Sequence, residues 1–409
     1  MNTTRTTRIF SMVLTVAAIA AAVSLPGAQP ASAADPTTTT LPAPPIPVKV
    51  SAGGKSSCAL MSDGTVRCWG RNTEGELGDG TTVTKSTAGT VKNLSGISQL
   101  AVGGSYACAL STTGRVFCWG DNSVGQIGDG TGTRRLTPVE VTSPGTIVKG
   151  VAVGNGTTCA WTTGDRLFCW GNNFRGQLGL GDTSNRRVPT LVKTPAYPIV
   201  AVGTGATTCV QFDGPSGIKD YQCTGANYIG QFGDGTTTST STLTPVAETS
   251  NSPRVIAVGG AHLCRFYAPD SLIRCTGGNW FGELGNGTTT PSTTMVTAGG
   301  TYNTVTAGER SHTCAFDTLR TEYRCWGLND TGKLGNGTTT NAALPTPVWN
   351  LSVAAQAASI SAGEFHTCAI GDAANNVRRV YCWGDNTSGQ LGNGTVGGTK
   401  TTPVVVRGI

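Results

Sequence analysis

The chain has 409 residues, 58 of them glycine and 14 cysteine, and only 13% are charged. Soluble domains usually carry about 25% charged residues, so an acidic, polybasic or charged disordered chain is excluded. The balance of 29 basic and 23 acidic residues, +6, is too small and too scattered for a nucleic-acid partner.

At the N-terminus, Arg5 and Arg8 precede an apolar run over residues 9–25, and Ala31-Ser32-Ala33 follows. Basic, apolar, then small-x-small is the order of a secretory signal. A membrane-spanning helix needs about 20 apolar residues. This run is shorter, carries Ser11, Thr15 and Ser24, and meets Pro26. Residues 1–33 are therefore expected to be a cleaved signal peptide, and loss of two arginines leaves 6 − 2 = +4. Residues 34–47 hold Thr37, Thr38, Thr39 and Thr40, then Pro42, Pro44, Pro45 and Pro47. Such a stretch favours extended polyproline II and has no core, so a spacer is expected. No second long apolar segment follows. A secreted or surface-tethered protein is expected, with its fold in 48–409.

Next comes Cys58-Ala-Leu-Met61, then Ser62-Asp-Gly-Thr65, then Val66-Arg-Cys-Trp69. Two short β-prone runs around Asp-Gly read as a hairpin. The unit then repeats. Its first cysteine recurs as Cys108, Cys159, Cys209, Cys264, Cys314 and Cys368, about 50 residues apart. A Gly-x-x-Gly closer recurs in step at Gly75, Gly125, Gly176, Gly230, Gly282, Gly332 and Gly389. Seven copies of two markers in one phase are not chance. A repeat of about 50 residues with several strands and no helix points to propeller blades.

Each unit carries a second cysteine: Cys68, Cys118, Cys169, Cys223, Cys275, Cys325 and Cys382. Pairing Cys58 with Cys68 centres the hairpin on Asp63, so the thiols face each other across adjacent strands. Longer gaps, as between Cys209 and Cys223, only lengthen the tip. Zinc usually gathers four ligands in close pairs. Seven hairpin disulfides are therefore expected, and no free thiol.

Asx-Gly-Thr tracts begin at Asp79, Asp129, Asp234, Asn286, Asn336 and Asn393. Calcium needs several carboxylates close together, whereas Asx-Gly is what a tight turn demands, so turns are expected. The loop before each closer is polar in four units. In units three to five it becomes Asn173-Phe174-Arg175, Asn227-Tyr228-Ile229 and Asn279-Trp280-Phe281. In a ring these loops lie side by side, so Phe174, Arg175, Tyr228, Trp280 and Phe281 are the candidate partner-binding residues; aromatics and arginine dominate interface hot spots. The competing reading is packing. Units four and five have Thr224 and Thr276 where the others have Trp69, Trp119, Trp170, Trp326 and Trp383, and Tyr228 and Trp280 would refill that volume.

His262, His312 and His366 share one phase, two residues before a cysteine. One phase means one structural niche, and a locally hydrogen-bonded strand histidine is expected rather than a metal site. No nucleophile elbow, His-Glu-x-x-His or phosphate loop occurs. The chain ends on Pro403-Val-Val-Val406, a strand that the N-terminus lacks, so the two ends are expected to close the ring.

Gly103-x-x-Tyr106-x-Cys108-Ala-Leu110, Gly114-x-Val116, Trp119-Gly120-x-Asn122 and Gly125-Gln-Ile-Gly128 resemble the regulator of chromosome condensation repeat. The resemblance covers 48–409 and implies an all-β, seven-bladed propeller of four-stranded antiparallel blades. The family includes exchange factors for a small GTPase, plant photoreceptors and secreted bacterial inhibitors of β-lactamase. Its pattern does not require cysteines, so these are a departure; closing an ~11-residue loop contributes about 3 kcal/mol. The expected function is a monomeric, non-enzymatic extracellular scaffold that needs no cofactor and holds a protein or cell-wall glycan. The alternatives are a guanine-nucleotide exchange factor, an inhibitor of an extracellular enzyme and, as the remaining enzyme class, a hydrolase.

Overall fold

The computed structural model describes residues 43–409 except 144, 194–196, 214–218, 247–252, 269, 352–358 and 373–376. The expected signal peptide and residues 34–42 of the expected spacer lie outside the described residues. Among the described residues every regular element is a strand, and seven four-stranded antiparallel sheets follow one another along the chain. The blades span 47–90, 97–140, 148–193, 199–245, 253–298, 302–347 and 360–405. In each, the first strand lines the central axis and the fourth lies outermost.

Blade one shows why these residues make strands. Its second strand, Ser56–Met61, is buried at every position, because both faces of a blade are covered by neighbouring blades. Alternation is therefore absent where a half-exposed sheet would have it. The turn after it is set by Asp63, whose Oδ1 accepts from the Thr65 amide at 3.0 Å and the Thr65 hydroxyl at 2.7 Å. Gly64 has φ +76°, and a Cβ there would crowd the Gly96 backbone at 3.1 Å. The turn thus fixes the register that places Cys58 directly opposite Cys68.

The same pairing holds in every blade: Cys108–Cys118, Cys159–Cys169, Cys209–Cys223, Cys264–Cys275, Cys314–Cys325 and Cys368–Cys382. No cysteine is free. The paired Cα atoms are 4.1–4.2 Å apart, as at the narrow, non-hydrogen-bonded positions of an antiparallel ladder.

The blades meet at seven seams, each repeating one device. A side chain near the end of the third strand donates to a carbonyl of the Gly-x-x-Gly closer in the preceding blade. Trp119 Nε1 reaches Glu76 O (2.8 Å), Trp170 Gln126 O (3.0 Å), Trp326 Glu283 O (2.8 Å), Trp383 Lys333 O (2.9 Å) and Trp69 Gln390 O (2.9 Å). Thr224 and Thr276 bond the closer one residue earlier, through Oγ1, to Gly176 O (2.9 Å) and Gly230 O (2.7 Å). The indole lies on the closer's second glycine; a Cβ on Gly128 would meet Trp170 at 2.5 Å.

Blades four and five fill the missing indole from elsewhere. The fourth strand carries Leu243 and Met295 at the position held by Ala88, Pro138, Pro189, Pro345 and Pro403 in the other blades. Leu243 shares the space above Gly179 with Thr224, and Met295 shares that above Gly233 with Thr276. Volume is conserved across strands rather than through the loop.

The last seam joins the ends of the propeller. Strand Thr399–Val405 is the outer strand of the seventh sheet. Blade seven packs face to face on blade one, the Ala88 amide donates to Arg407 O (2.9 Å), and the Gly394 amide donates to Ser86 O (2.8 Å).

Candidate functional site

The turns between first and second strands and the loops between third and fourth strands emerge on one face. Each of the latter is built around a buried asparagine. In blade one, Asn72 Nδ2 donates to Asp79 Oδ1 (3.2 Å), Thr81 O (3.0 Å) and Val83 O (3.2 Å), while its Oδ1 accepts from the Leu77 amide (2.9 Å). Asn122, Asn173, Asn227, Asn279, Asn329 and Asn386 repeat the Oδ1 bond and surround Nδ2 with acceptors in the same way. The amide nitrogen occupies the place a cation would need, so the Asx-Gly-Thr tracts are turns. Burial alone would raise the Asp79 carboxyl, but Lys85 and Thr81 outweigh it and hold it at about 2. No group of three His, Cys, Asp or Glu fit for a metal occurs among the described residues.

This frame displays the loop residues beside each asparagine. Gln177 Oε1 accepts from the Arg175 amide (2.9 Å), and Glu283 Oε2 from the Phe281 amide (2.8 Å). With the backbone so pinned, the side chains turn outward: Phe174 is 69% exposed, Trp280 51%, Tyr228 49% and Phe281 37%. Arg175 stacks over the Tyr228 ring at 5.2 Å and so links blades three and four. The Trp280 ring lies against Gly278, where a Cβ would meet it at 2.8 Å. These exposures remove the packing role considered for Tyr228 and Trp280, which Leu243 and Met295 perform instead.

The three histidines are buried at the seams, and the Nε2 bond of each reaches across to the next blade. His262 Nε2 pairs with Thr313 Oγ1 (2.9 Å), His312 Nε2 with Thr367 Oγ1 (3.0 Å), and His366 Nε2 with Ser57 Oγ (2.6 Å), each on the next blade round the ring. Each hydroxyl donates onward to a carbonyl: Glu283 O, Lys333 O or Gln390 O. Burial holds His262 and His366 at about 4 and His312 well below its ordinary value. Ser57 and His366 have the spacing of a nucleophile and its base. Both are fully buried, the hydroxyl is committed to Gln390 O, and two other seams repeat the pair with threonine. Asp385, whose charge reaches His366, is engaged by Thr387 and Gln390. The arrangement is a seam lock without access for substrate.

The axis supplies what the sequence did not single out. A channel of about 560 Å³ runs between the innermost strands, with Glu309 and Glu364 at its mouth on the loop face. Beside them, Phe365 lies between Lys55 (5.0 Å) and Arg310 (4.8 Å). The available signal was positional: Glu309 and Glu364 stand in turns that carry a second glycine in blades one, two and five, at Gly54, Gly104 and Gly260.

Known proteins agree with this geometry. The family model described as RCC1-like domain matches residues 24–349, and regulator of chromosome condensation (RCC1) repeat models match 357–390 and 379–409. The probable E3 ubiquitin-protein ligase HERC4 of Homo sapiens is 32% identical over 258 residues, 62% of this chain and 20% of that protein. The ultraviolet-B receptor UVR8 of Arabidopsis thaliana is 29% identical over 256 residues, 60% of this chain and 56% of the receptor. Among solved structures, Prp20p from Saccharomyces cerevisiae superposes with a TM-score of 0.70 at 19% identity, covering 88% of this chain and 87% of that one. Human WBSCR16 gives 0.69 at 18%, covering 81% and 88%. At these identities the likeness is one of fold.

Proposed function

The chain belongs to the regulator of chromosome condensation repeat family, and from that premise we propose that it is a secreted, non-enzymatic scaffold that holds a protein partner on its loop face. The observation that carries this reading is the arc of Phe174, Arg175, Tyr228, Trp280 and Phe281. Large rings that are half exposed and not needed for packing are the side chains that anchor protein interfaces. The seven disulfides favour an oxidising, extracellular compartment.

The experiment is the Phe174→Ala/Tyr228→Ala/Trp280→Ala variant, compared with wild type for melting temperature and for partner capture from culture medium and from cell-wall fractions. A melting temperature within a few degrees and lost capture of a protein support the reading. A large fall in melting temperature with unchanged capture defeats it. Capture of wall polysaccharide instead of protein transfers the site to a glycan.

A second reading, nucleotide exchange on a small GTPase, draws on the fold of Prp20p, described for its binding to Gsp1p and histones. Disulfide-bonded blades argue against a partner that resides in a reducing compartment. Acceleration of nucleotide release from a small GTPase by the purified protein would establish it. Inhibition of an extracellular enzyme is the scaffold reading with the partner's active site covered.

A further inference from the structure

We propose that the mouth of the axial channel binds a guanidinium or ammonium group carried by the partner protein, an assignment that rests on the binding-face reading above. The channel wall is rich in acceptors. In an antiparallel edge strand, alternate residues turn both N–H and C=O away from the sheet. Five of the outward N–H groups are engaged by neighbouring blades: Val50 by Ser359 Oγ (3.2 Å), Ala52 by Ser361 Oγ (2.9 Å), Val102 by Ser51 Oγ (3.0 Å), Val151 by Gln99 Oε1 (3.4 Å) and Ala362 by Thr306 Oγ1 (3.2 Å). The carbonyls of those residues are left on the axial edge. At these positions the axial edge offers acceptors to a guest.

The mouth adds negative charge. The turn into the second strand carries Gly54, Gly104 and Gly260 in blades one, two and five, and at Gly54 and Gly260 the turn of the next blade comes too close for a side chain. A Cβ on Gly54 would lie 2.3 Å from Gly104 O, and one on Gly260 2.1 Å from Glu309 O. Blades three and four carry Asn155 and Thr204 there, and the acids at the opening are Glu309 and Glu364 of blades six and seven. Glu309 spans it, its Oε1 accepting from the Asn155 amide of blade three at 2.8 Å. Burial and then the charge of Glu364 push its carboxyl upward, a stress that a cation would relieve.

Neither acid forms an ion pair among the described residues. The cations around the mouth are engaged elsewhere: Lys55 with Asp385 (3.9 Å), Arg71 with Glu76 (2.8 Å), and Arg310 on the Phe365 ring. Lys49, the remaining charged residue of the channel lining, belongs to the opposite half of the first strand, away from the mouth. A metal ion fits poorly, since calcium usually takes six to eight oxygens and no third acid or histidine joins the pair. A guanidinium, with five donors in a plane, suits two carboxylates beside the axial carbonyls.

The test titrates the intact protein with acetyl-Gly-Arg-Gly-amide and with its neutral citrulline counterpart, by calorimetry at two salt concentrations. The arginine peptide is expected to bind at least about tenfold tighter, with a margin that shrinks as salt rises. That margin disappears in Glu309→Gln/Glu364→Gln. It shrinks in Glu364→Gln, which removes no side-chain hydrogen bond made among the described residues and so keeps the test decisive if the double variant fails to fold. Equal binding of the two peptides, or an unchanged margin in a folded carboxylate variant, overturns the proposal. The Phe174→Ala/Tyr228→Ala/Trp280→Ala variant keeps the peptide margin, so failure of the arc and failure of the mouth are read separately.

Discussion

Acidification from pH 7 to 4.5 is expected to remove about 5 kcal/mol of stability through His262 and His366 alone. Each imidazole faces a hydroxyl whose own proton goes to a carbonyl, so Nε2 is the protonated nitrogen, and Nδ1 is buried without a partner. A second proton would therefore sit on Nδ1 as an unsolvated charge, which is why burial holds both rings at about 4 against an ordinary 6.5. The unfolded chain takes up protons below about 6.5, while the folded one waits until about 4. The stability from keeping the rings neutral is thus complete above pH 6.5 and is lost as pH falls toward 4. At pH 4.5 the difference is about 2.5 kcal/mol per ring. His312, lowered by burial and by Lys333, adds in the same direction. Glu283 and Glu309, both raised by burial, act with the opposite sign, and Asp79, held at about 2, matters only below about 3.8. Urea midpoints of the oxidised protein at both pH values, for wild type and His262→Gln/His366→Gln, provide the measurement. Wild type should lose most of its margin and the double variant about 5 kcal/mol less. Equal losses in the two proteins, or none in wild type, would refute the reasoning.

Thr224→Trp alone should destabilise by about 1–3 kcal/mol, because Leu243 already holds the indole volume; adding Leu243→Ala should recover much of that loss in thermal melts. Removing one clip, Cys108→Ser/Cys118→Ser, should lower stability by about 3 kcal/mol in urea. Thiol titration of denatured, unreduced wild type should find no reactive group, and two or more would contradict the pairing. Asn122→Asp should cost more than Asn122→Ala, since a carboxylate would face Asp129 and two carbonyls; the order of their urea midpoints checks it.

The features legible in the sequence are local. A hairpin, its Asp-Gly turn and the cystine opposite Cys58 lie within about a dozen residues, so spacing determines them. The seams were not legible in the same way, because they join residues about 50 positions apart: His262 to Thr313 is a separation of 51, and spacing gives no reason to choose that hydroxyl. The exchange of Trp for Leu243 and Met295 left a signal, since both stand in a phase otherwise held by alanine or proline. That signal reads only once the fourth strand's register is known. Arg265 stands where the other blades have alanine or valine, fully buried over Tyr221 at 3.4 Å and donating to Phe232 O. Composition suggested no such residue. The aromatic loops were visible from the start; their exposure required the packing around them.

Every disulfide lies inside a blade, and every seam carries a third-strand donor bonded to the closer of the preceding blade, including the seam between the first and last blades. Trp69 on Gln390 O is chemically the same contact as Trp119 on Glu76 O. The ring therefore has no privileged opening. Moving the break to a connection between other blades would exchange one such joint for another, which makes the propeller a natural subject for circular permutation and for the gain or loss of whole blades by duplication.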